Sequence, residues 1–503
     1  MVQLALNSGA YSSESLIANA QRSVNLYAEM NPANTKPTFP TTQYVRPGLK
    51  PLGAPPNPGL SRCLYGATNG DGYAVIGQAI YYIDPNWQFN FLGNLIANRG
   101  TPASMIDNGK GVLVVDGSPQ GYSINLTGNP LRQLTQITDP NFFGADRVDF
   151  LDTFLIYNIP GTNQWGCTLS DQIAFNGLFV GIKTAWPDPI LAVVAIEREV
   201  WVFGPKKSEA WFNAGATPFP MQILPGVIIE QGCAAKYSPA KMDTNVYWLS
   251  QSPEGARMVM RGNAQNVAQR ISTHAIEKEL LKYARMDDAI GSVYQIQGHS
   301  FYELHFPTAD RTWAYDQATE QWFEDASIDN NGTLHRARNA FTTYLYGKNV
   351  ALDWATGQLY EIDLKSYTDN GQPIPWIRSF PHFTNELKYV NQAAIVGDFA
   401  IGTRPNTGEV NQFLSPWSAG FSSGFGPLTQ VAAPTVNLRI SRDGGANFGN
   451  NRPKGLVSSG HYRSMMRWRG NGLARDWVLE FSSTSEMSGG LNGAYVDPVG
   501  ASA

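Results

Sequence analysis

Residues 198–204 read REVWVFG, and residues 208–213 read SEAWFN. Each is a short apolar run, and turn-forming residues stand between them. One such pair is an ordinary hairpin signal. Here the pair recurs. GYAVIG at 72–77 precedes AIYYID, GVLVVDG at 111–117 precedes GYSINL, and DTFLIYN at 152–158 precedes GCTLSD. Further along, TNVYWLS at 244–250 precedes ARMVMRG, HSFYELHFP at 299–307 precedes RTWAYD, and NVALDW at 349–354 precedes GQLYEID. The spacing of about 40–50 residues is the period of a four-stranded propeller blade. Blades arranged radially leave few open sheet edges. Seven units are counted, or six if one of them belongs elsewhere. An all-β chain built on a β-propeller is therefore expected.

One interval in the repeat is long. It holds ISTHAIEKELLKYARMDDA at 271–289, where Ser272 or Thr273 can cap a helix and Ile276, Leu280 and Tyr283 share a helical face. One inserted helix is expected there. The first 55 residues are rich in Asn, Pro and Ser, and read as an extended arm. The propeller is assigned to 56–370.

After residue 370 the pattern becomes a clean two-residue alternation. Val436, Leu438 and Ile440 oppose Asn437, Arg439 and Ser441; Tyr462, Ser464, Met466 and Trp468 oppose Arg463, Met465, Arg467 and Arg469. A C-terminal β-sandwich over 371–484 follows, with a small, polar, flexible tail over 485–503.

Charged residues are 16% of the chain, below the roughly 25% of an average soluble protein. The net charge of −4 lacks the basic excess of a general nucleic-acid binder, yet it allows a surface past which DNA slides. No basic n-region with an apolar core opens the sequence, and no apolar run is long enough to span a bilayer. Cys63, Cys167 and Cys233 are too few and too scattered for a disulfide framework; buried thiols are expected, and the Asn125 sequon is read as chance.

Chemistry is sparse. No Walker loop, dinucleotide fingerprint, HExxH or GxSxG is present, so no cofactor is expected. His299, Glu303 and His305 share a strand face, but at about 3.3 Å per residue His299 and Glu303 stand too far apart for one ion. A solvated or inter-blade Glu303–His305 pair is the better reading, and no metal is expected. The aromatics of TWAYDQATEQWFED bracket a blade hairpin. SRDGGANF at 441–448 has the form of an Asp-box, which would suggest a sugar-cleaving propeller. It occurs once, outside the repeat, and is read as a hairpin turn. A glycosidase would need paired carboxylates that the sequence does not mark. The remaining candidate is Arg463, Arg467, Trp468, Arg469 and Arg475, either a solvated strand face or an interface to an acidic partner.

Taken in order, several stretches resemble one family. They are NAQRSVNLYAEMNP at 19–32, PGLKPLG at 47–53, and REVWVFGPKKSEAWFNAGATPFP at 198–220. ISTHAIEKELLKYARMDDAIGSVYQIQGHSFYELHFP at 271–307, TWAYDQATEQWFE at 312–324, SRDGGANFG at 441–449 and HYRSMMRWRGNGLARDWVLEF at 461–481 complete the set. The set resembles the packaged-DNA stabilisation family, the tail hub or nozzle proteins of short-tailed bacteriophages. The resemblance implies a non-enzymatic virion protein of the tail, assembled in the host cytoplasm. It implies a homohexamer beneath the head-to-tail adaptor ring, closed by a plug or needle and flanked by tail fibres or tailspikes. DNA would pass through its channel without sequence-specific binding. The rival readings are a propeller glycosidase acting on host polysaccharide and a monomeric receptor-binding propeller.

Overall fold

A computed structural model of the chain describes residues 2–4, 6, 9–10, 21–31, 41–97, 99–252, 254–384, 388–400, 434–456, 463–486 and 490–500. The chain divides into two units: Leu49–Asp363, and Met1–Gly48 together with Leu364–Ala503.

Leu49–Asp363 is a seven-bladed propeller. Blades 1 to 5 are four-stranded antiparallel sheets whose inner strands are Ser61–Gly66, Ser104–Asp107, Val148–Leu151, Ala192–Ile196 and Ala240–Met242. Blade 6 runs outward from Ile290–Ile296 to Gln321–Ile328. Blade 7 takes Asn339–Leu345, Lys348–Asp353 and Leu359–Asp363 from one end of the unit, and its outer strand, Gly48–Pro51, from the other. Backbone bonds from Leu52 to Leu359 (2.9 Å) and from Leu359 to Gly53 (2.8 Å) fix that closure.

The core lies between blades. In Gly111–Val115 every residue is buried. Val112 and Val114 enter a cluster shared with blade 1, whereas Leu113 and Val115 enter one shared with blade 3. A strand covered on both faces needs apolar side chains at every position, which is why these strands read as continuous runs. The last interface closes the ring: Leu64, Ile76 and Ile83 of blade 1 pack with Leu345, Val350 and Leu352 of blade 7. Tight turns join the first two strands of several blades. Asp152, Glu197, Asp243, Gln297 and Tyr346 take φ of 48–53° at the first turn position. That is the mirror-image turn whose twist matches the flanking strands.

The inserted helix, α1, is His274–Leu281, between blades 5 and 6. Thr273 is its N-cap, accepting from the Ile276 amide, and the Ser272 hydroxyl reaches Glu277 at 2.5 Å. Ile276 and Leu280 are buried. Arg257 closes the other end by donating to the carbonyls of Leu280 and Tyr283 at 2.6 and 2.8 Å.

The second unit holds two sheets around one apolar cluster. One sheet has the order Leu26–Met30, Thr41–Val45, Gly490–Gly500, Val390–Ala400, Arg463–Arg469; the other has Ser23–Val24, Trp376–Ser379, Asp476–Ser483, Thr435–Ser441, Arg452–Gly455. Leu438, Ile440, Met466, Trp468, Trp477, Leu479 and Phe481 form part of the shared core. This is a sandwich in which alternate residues of each strand face inward.

Its make-up differs from the expectation at both ends of the chain. The segment read as an arm supplies four strands to this sandwich, and its residue Gln43 is buried with its amide on the Leu6 carbonyl at 2.9 Å. The segment read as a flexible tail supplies Gly490–Gly500, an interior strand paired with both Val390–Ala400 and Thr41–Val45. Leu491, Ala494 and Val496 enter the core. Their spacing breaks the two-residue period because the pairing shifts register between Asp398 and Phe399 and between Gln392 and Ala394.

Candidate functional surfaces

The inner strands of the blades are stitched to one another by polar side chains. On blade 3, Asp149 accepts from the Ala195 amide of blade 4 at 2.8 Å and from the Lys241 ammonium of blade 5 at 2.7 Å. Beside it, Arg147 donates to the Pro239 carbonyl at 3.0 Å, and Lys236 pairs with Asp146 at 2.5 Å. Arg62 of blade 1 meets Asp116 of blade 2 at 3.0 Å with both side chains out of water. Asp107 of blade 2 is bonded to Tyr65 (2.5 Å) and Thr68 of blade 1. Burial and the Asp107 hydrogen bond hold the Tyr65 phenol well above its ordinary range, so it stays a neutral donor. The wall around the propeller axis is thus tied from blade 3 past blade 4 to blade 5. Individual residues carried no sequence signal for this: Asp149 and Lys241 are 92 positions apart.

In the sandwich, the Arg463–Arg469 strand alternates as expected, with Arg463, Met465, Arg467 and Arg469 outward and Ser464, Met466 and Trp468 inward. Trp468 is therefore no part of an exposed face. Its ring packs tilted against Phe481 at 5.3 Å between centroids, and its indole donates to the Arg452 carbonyl at 2.9 Å. Arg463 forks onto the fully buried Asp398, with contacts of 2.5–3.1 Å. Arg475 lies over the Tyr389 ring at 4.5 Å. Arg467 and Arg469 are exposed. Their backbone carbonyls, on the edge of the sheet, accept from Lys454 and Arg452 of the other sheet. Cationic side chains laid on an edge strand block further strand addition. Tyr462 lies outside the described residues.

The Asp-box stretch is a hairpin turn between Thr435–Ser441 and Arg452–Gly455. The Asp443 carboxylate accepts from the Ser441 hydroxyl (2.6 Å), the Asn447 amide (2.9 Å) and the Asn447 side chain (2.8 Å). These bonds hold its carboxyl down at about 2. Gly444 and Gly445 take φ of 70° and 86°, which the turn requires. Phe448 does not enter the core; it is half-buried under the Arg439 guanidinium at 4.8 Å.

His299 is bonded to Asp316 at 2.9 Å, away from the Glu303–His305 pair. Glu303 and His305 are both wholly buried, 3.5 Å apart. Glu303 also accepts from Asn339 of blade 7 at 2.7 Å, so the pair belongs to an inter-blade network. Among the described residues, no group of three or more His, Cys, Asp or Glu could hold a metal ion. The three cysteines are free and buried; burial pushes Cys63 and Cys167 up to about 12 and Cys233 to about 11. As thiols rather than thiolates they are poor nucleophiles. The helix of the described residues is too short and too polar to cross a membrane.

A family model described as bacteriophage P22 Gp10, beta-propeller, matches residues 2–367. The chain belongs to this phage family. That match takes in the whole propeller and the N-terminal strands of the sandwich. No curated protein matches the chain. Similar solved structures include the computationally designed Ika8 protein, 11% identical with a TM-score of 0.35, which covers 62% of this chain and 100% of that one. The WD40 beta propeller domain of Doa1 is 8% identical with a TM-score of 0.40, covering 62% and 97%. BamB from Moraxella catarrhalis is 9% identical with a TM-score of 0.36, covering 62% and 99%.

Proposed function

We propose that this chain is a subunit of a hexameric phage tail nozzle, which retains packaged DNA and then conducts it out during ejection. Membership of the phage family over residues 2–367 carries the reading. The role is mechanical. A closed propeller with a polar-stitched axis is a rigid body, suited to head-to-tail contacts that close by rotation into a ring.

The Asp149–Lys241 and Arg147–Pro239 contacts tie blade 3 to blade 5 at the inner strands. In this reading the conduit runs between subunits, on the six-fold axis of the ring. A net charge of −4 supports passage without retention, because each uncompensated cation would bind phosphate and displace counterions. The ring sits below the adaptor, with a plug or needle closing it and fibres or tailspikes beside it. It is assembled in the host cytoplasm and works in the virion, and it carries out no chemistry. The exposed Arg467 and Arg469 are offered to an acidic surface of one of these partners.

The test is direct. The purified chain is mixed with its adaptor ring and imaged by negative stain. Six-fold rings with an open axial channel are expected. A monodisperse monomer that never joins the adaptor overturns the reading.

A further inference from the structure

We propose that a cleft at one mouth of the propeller binds a neutral oligosaccharide. The cleft has a volume of about 430 Å³ and lies where the inner strands of blades 5, 6 and 7 end. That volume falls in the range of small-molecule sites. Lys241, Asp243, Gln295, Thr343, Tyr344 and Asn349 are among the residues that line it.

The groups are fixed in place by one another. Gln295 donates its side-chain amide to Asp243 at 2.6 Å, and Asn349 donates its own to the Gln295 carbonyl at 2.7 Å. Lys241 is held by Asp149 at 2.7 Å. Each of these bonds uses one N–H of its amide, so Gln295 and Asn349 each keep a second N–H donor and a carbonyl acceptor, and Asp243 keeps its second oxygen. The Thr343 and Tyr344 hydroxyls can donate or accept. The Tyr344 ring is 68% exposed and offers a flat apolar face beside these polar groups. Asp243 sits at the first position of a tight turn, with φ of 53°.

This donor–acceptor set selects its ligand. Donors and acceptors side by side match hydroxyl groups, which do both, and the Tyr344 ring matches an apolar face; a sugar carries both. A phosphate or carboxylate would meet Asp243, while the cation of the lining, Lys241, is already paired. Asp243 is the sole carboxylate of the lining, and cleavage of a glycosidic bond needs two across the scissile bond. The cleft is thus built to hold a sugar and not to cut one. This goes beyond the nozzle reading and does not depend on it: a ring could form with an empty cleft, and a monomer could bind.

The full chain is screened by saturation-transfer-difference NMR against neutral di- and trisaccharides of glucose, galactose, mannose and rhamnose, with choline as a cationic control. At least one sugar is expected to bind in the millimolar range. Tyr344→Ala should weaken it roughly tenfold, and Tyr344→Phe by less than about threefold. Tyr344 is exposed, so both variants should keep the wild-type melting temperature, which is checked in parallel. Binding by no sugar in the panel, binding by choline in place of any sugar, or sugar binding unchanged in Tyr344→Ala overturns the proposal.

Discussion

The Arg62 guanidinium of blade 1 and the Asp116 carboxylate of blade 2 meet at 3.0 Å with neither side chain exposed to solvent. Arg62 also donates to the carbonyls of Thr101 at 2.7 Å and Gly77 at 3.1 Å. One side chain thus ties three segments of two adjacent blades together. Removing it strands a buried carboxylate and two carbonyls. Arg62→Ala is expected to destabilise the propeller by about 3–5 kcal/mol. The double variant Arg62→Met with Asp116→Leu should regain most of that loss, because no uncompensated charge remains. Scanning calorimetry of the propeller transition measures both. Equal losses in the single and double variants would mean the pair matters through shape and not charge.

His305 makes a pH prediction for blade 6. Burial first, then the nearby Arg336 charge, drives its imidazole down to about 3 from an ordinary 6.5. The folded state therefore holds it neutral, between Thr312 at 3.0 Å and Ser292 at 3.1 Å. The unfolded chain takes up a proton below 6.5 that the folded chain refuses until about 3. The contribution is fully present above 6.5 and is lost as pH falls from there towards 3. Its slope is at most about 1.4 kcal/mol per pH unit. His305→Asn should lower stability at neutral pH and flatten the pH dependence across that window. Melting temperature against pH, for both proteins, reads the difference.

Asp443 titrates lower and locally. Its ordinary value of 3.8 is brought to about 2 by the Ser441 and Asn447 hydrogen bonds. The turn's stabilisation is complete above the ordinary value and disappears as pH falls through about 2. The Asn447 amide should stay protected from hydrogen exchange at pH 4 and lose protection near pH 2. Asp443→Ala should abolish that protection at both pH values. Protection that ignores Asp443 would show that the glycines alone shape the turn.

These residues also show what a linear reading can and cannot recover. Gly111–Val115 is legible because two-sided burial demands an apolar residue at every step. The Arg463–Arg469 strand is legible because one-sided burial demands alternation, and the period itself placed Trp468 opposite the arginines. Gly48–Pro51 carried no such mark: it is an outer strand with Lys50 and Pro51 exposed, and its partner strand is some 300 residues away. Gly490–Gly500 was hidden by its glycines, its proline and two register shifts, which remove the alternation a strand otherwise shows. The axis network and the mouth cleft were invisible for a different cause. Each draws single polar residues from several blades, and only closure of the ring brings them together.

The arginine strand separates into a structural residue and two that face outward. Arg463 covers the Asp398 carboxylate, which has no exposure of its own. Arg463→Ala leaves that carboxylate buried beside an opening to solvent, and roughly 2–3 kcal/mol of lost stability is expected. Arg467→Ala and Arg469→Ala remove exposed side chains whose backbones keep their Lys454 and Arg452 contacts, so each should stay within about 0.5 kcal/mol of wild type. Association should show the reverse order. If this face meets an acidic partner in the tail, Asp substitutions at 467 and 469 together should slow assembly with the adaptor or fibres, and added salt should slow the wild type in the same way. Calorimetry on the isolated chain and light scattering during assembly measure the two effects separately. Unchanged assembly in the doubly substituted chain would assign this strand to the solvated surface of the sandwich.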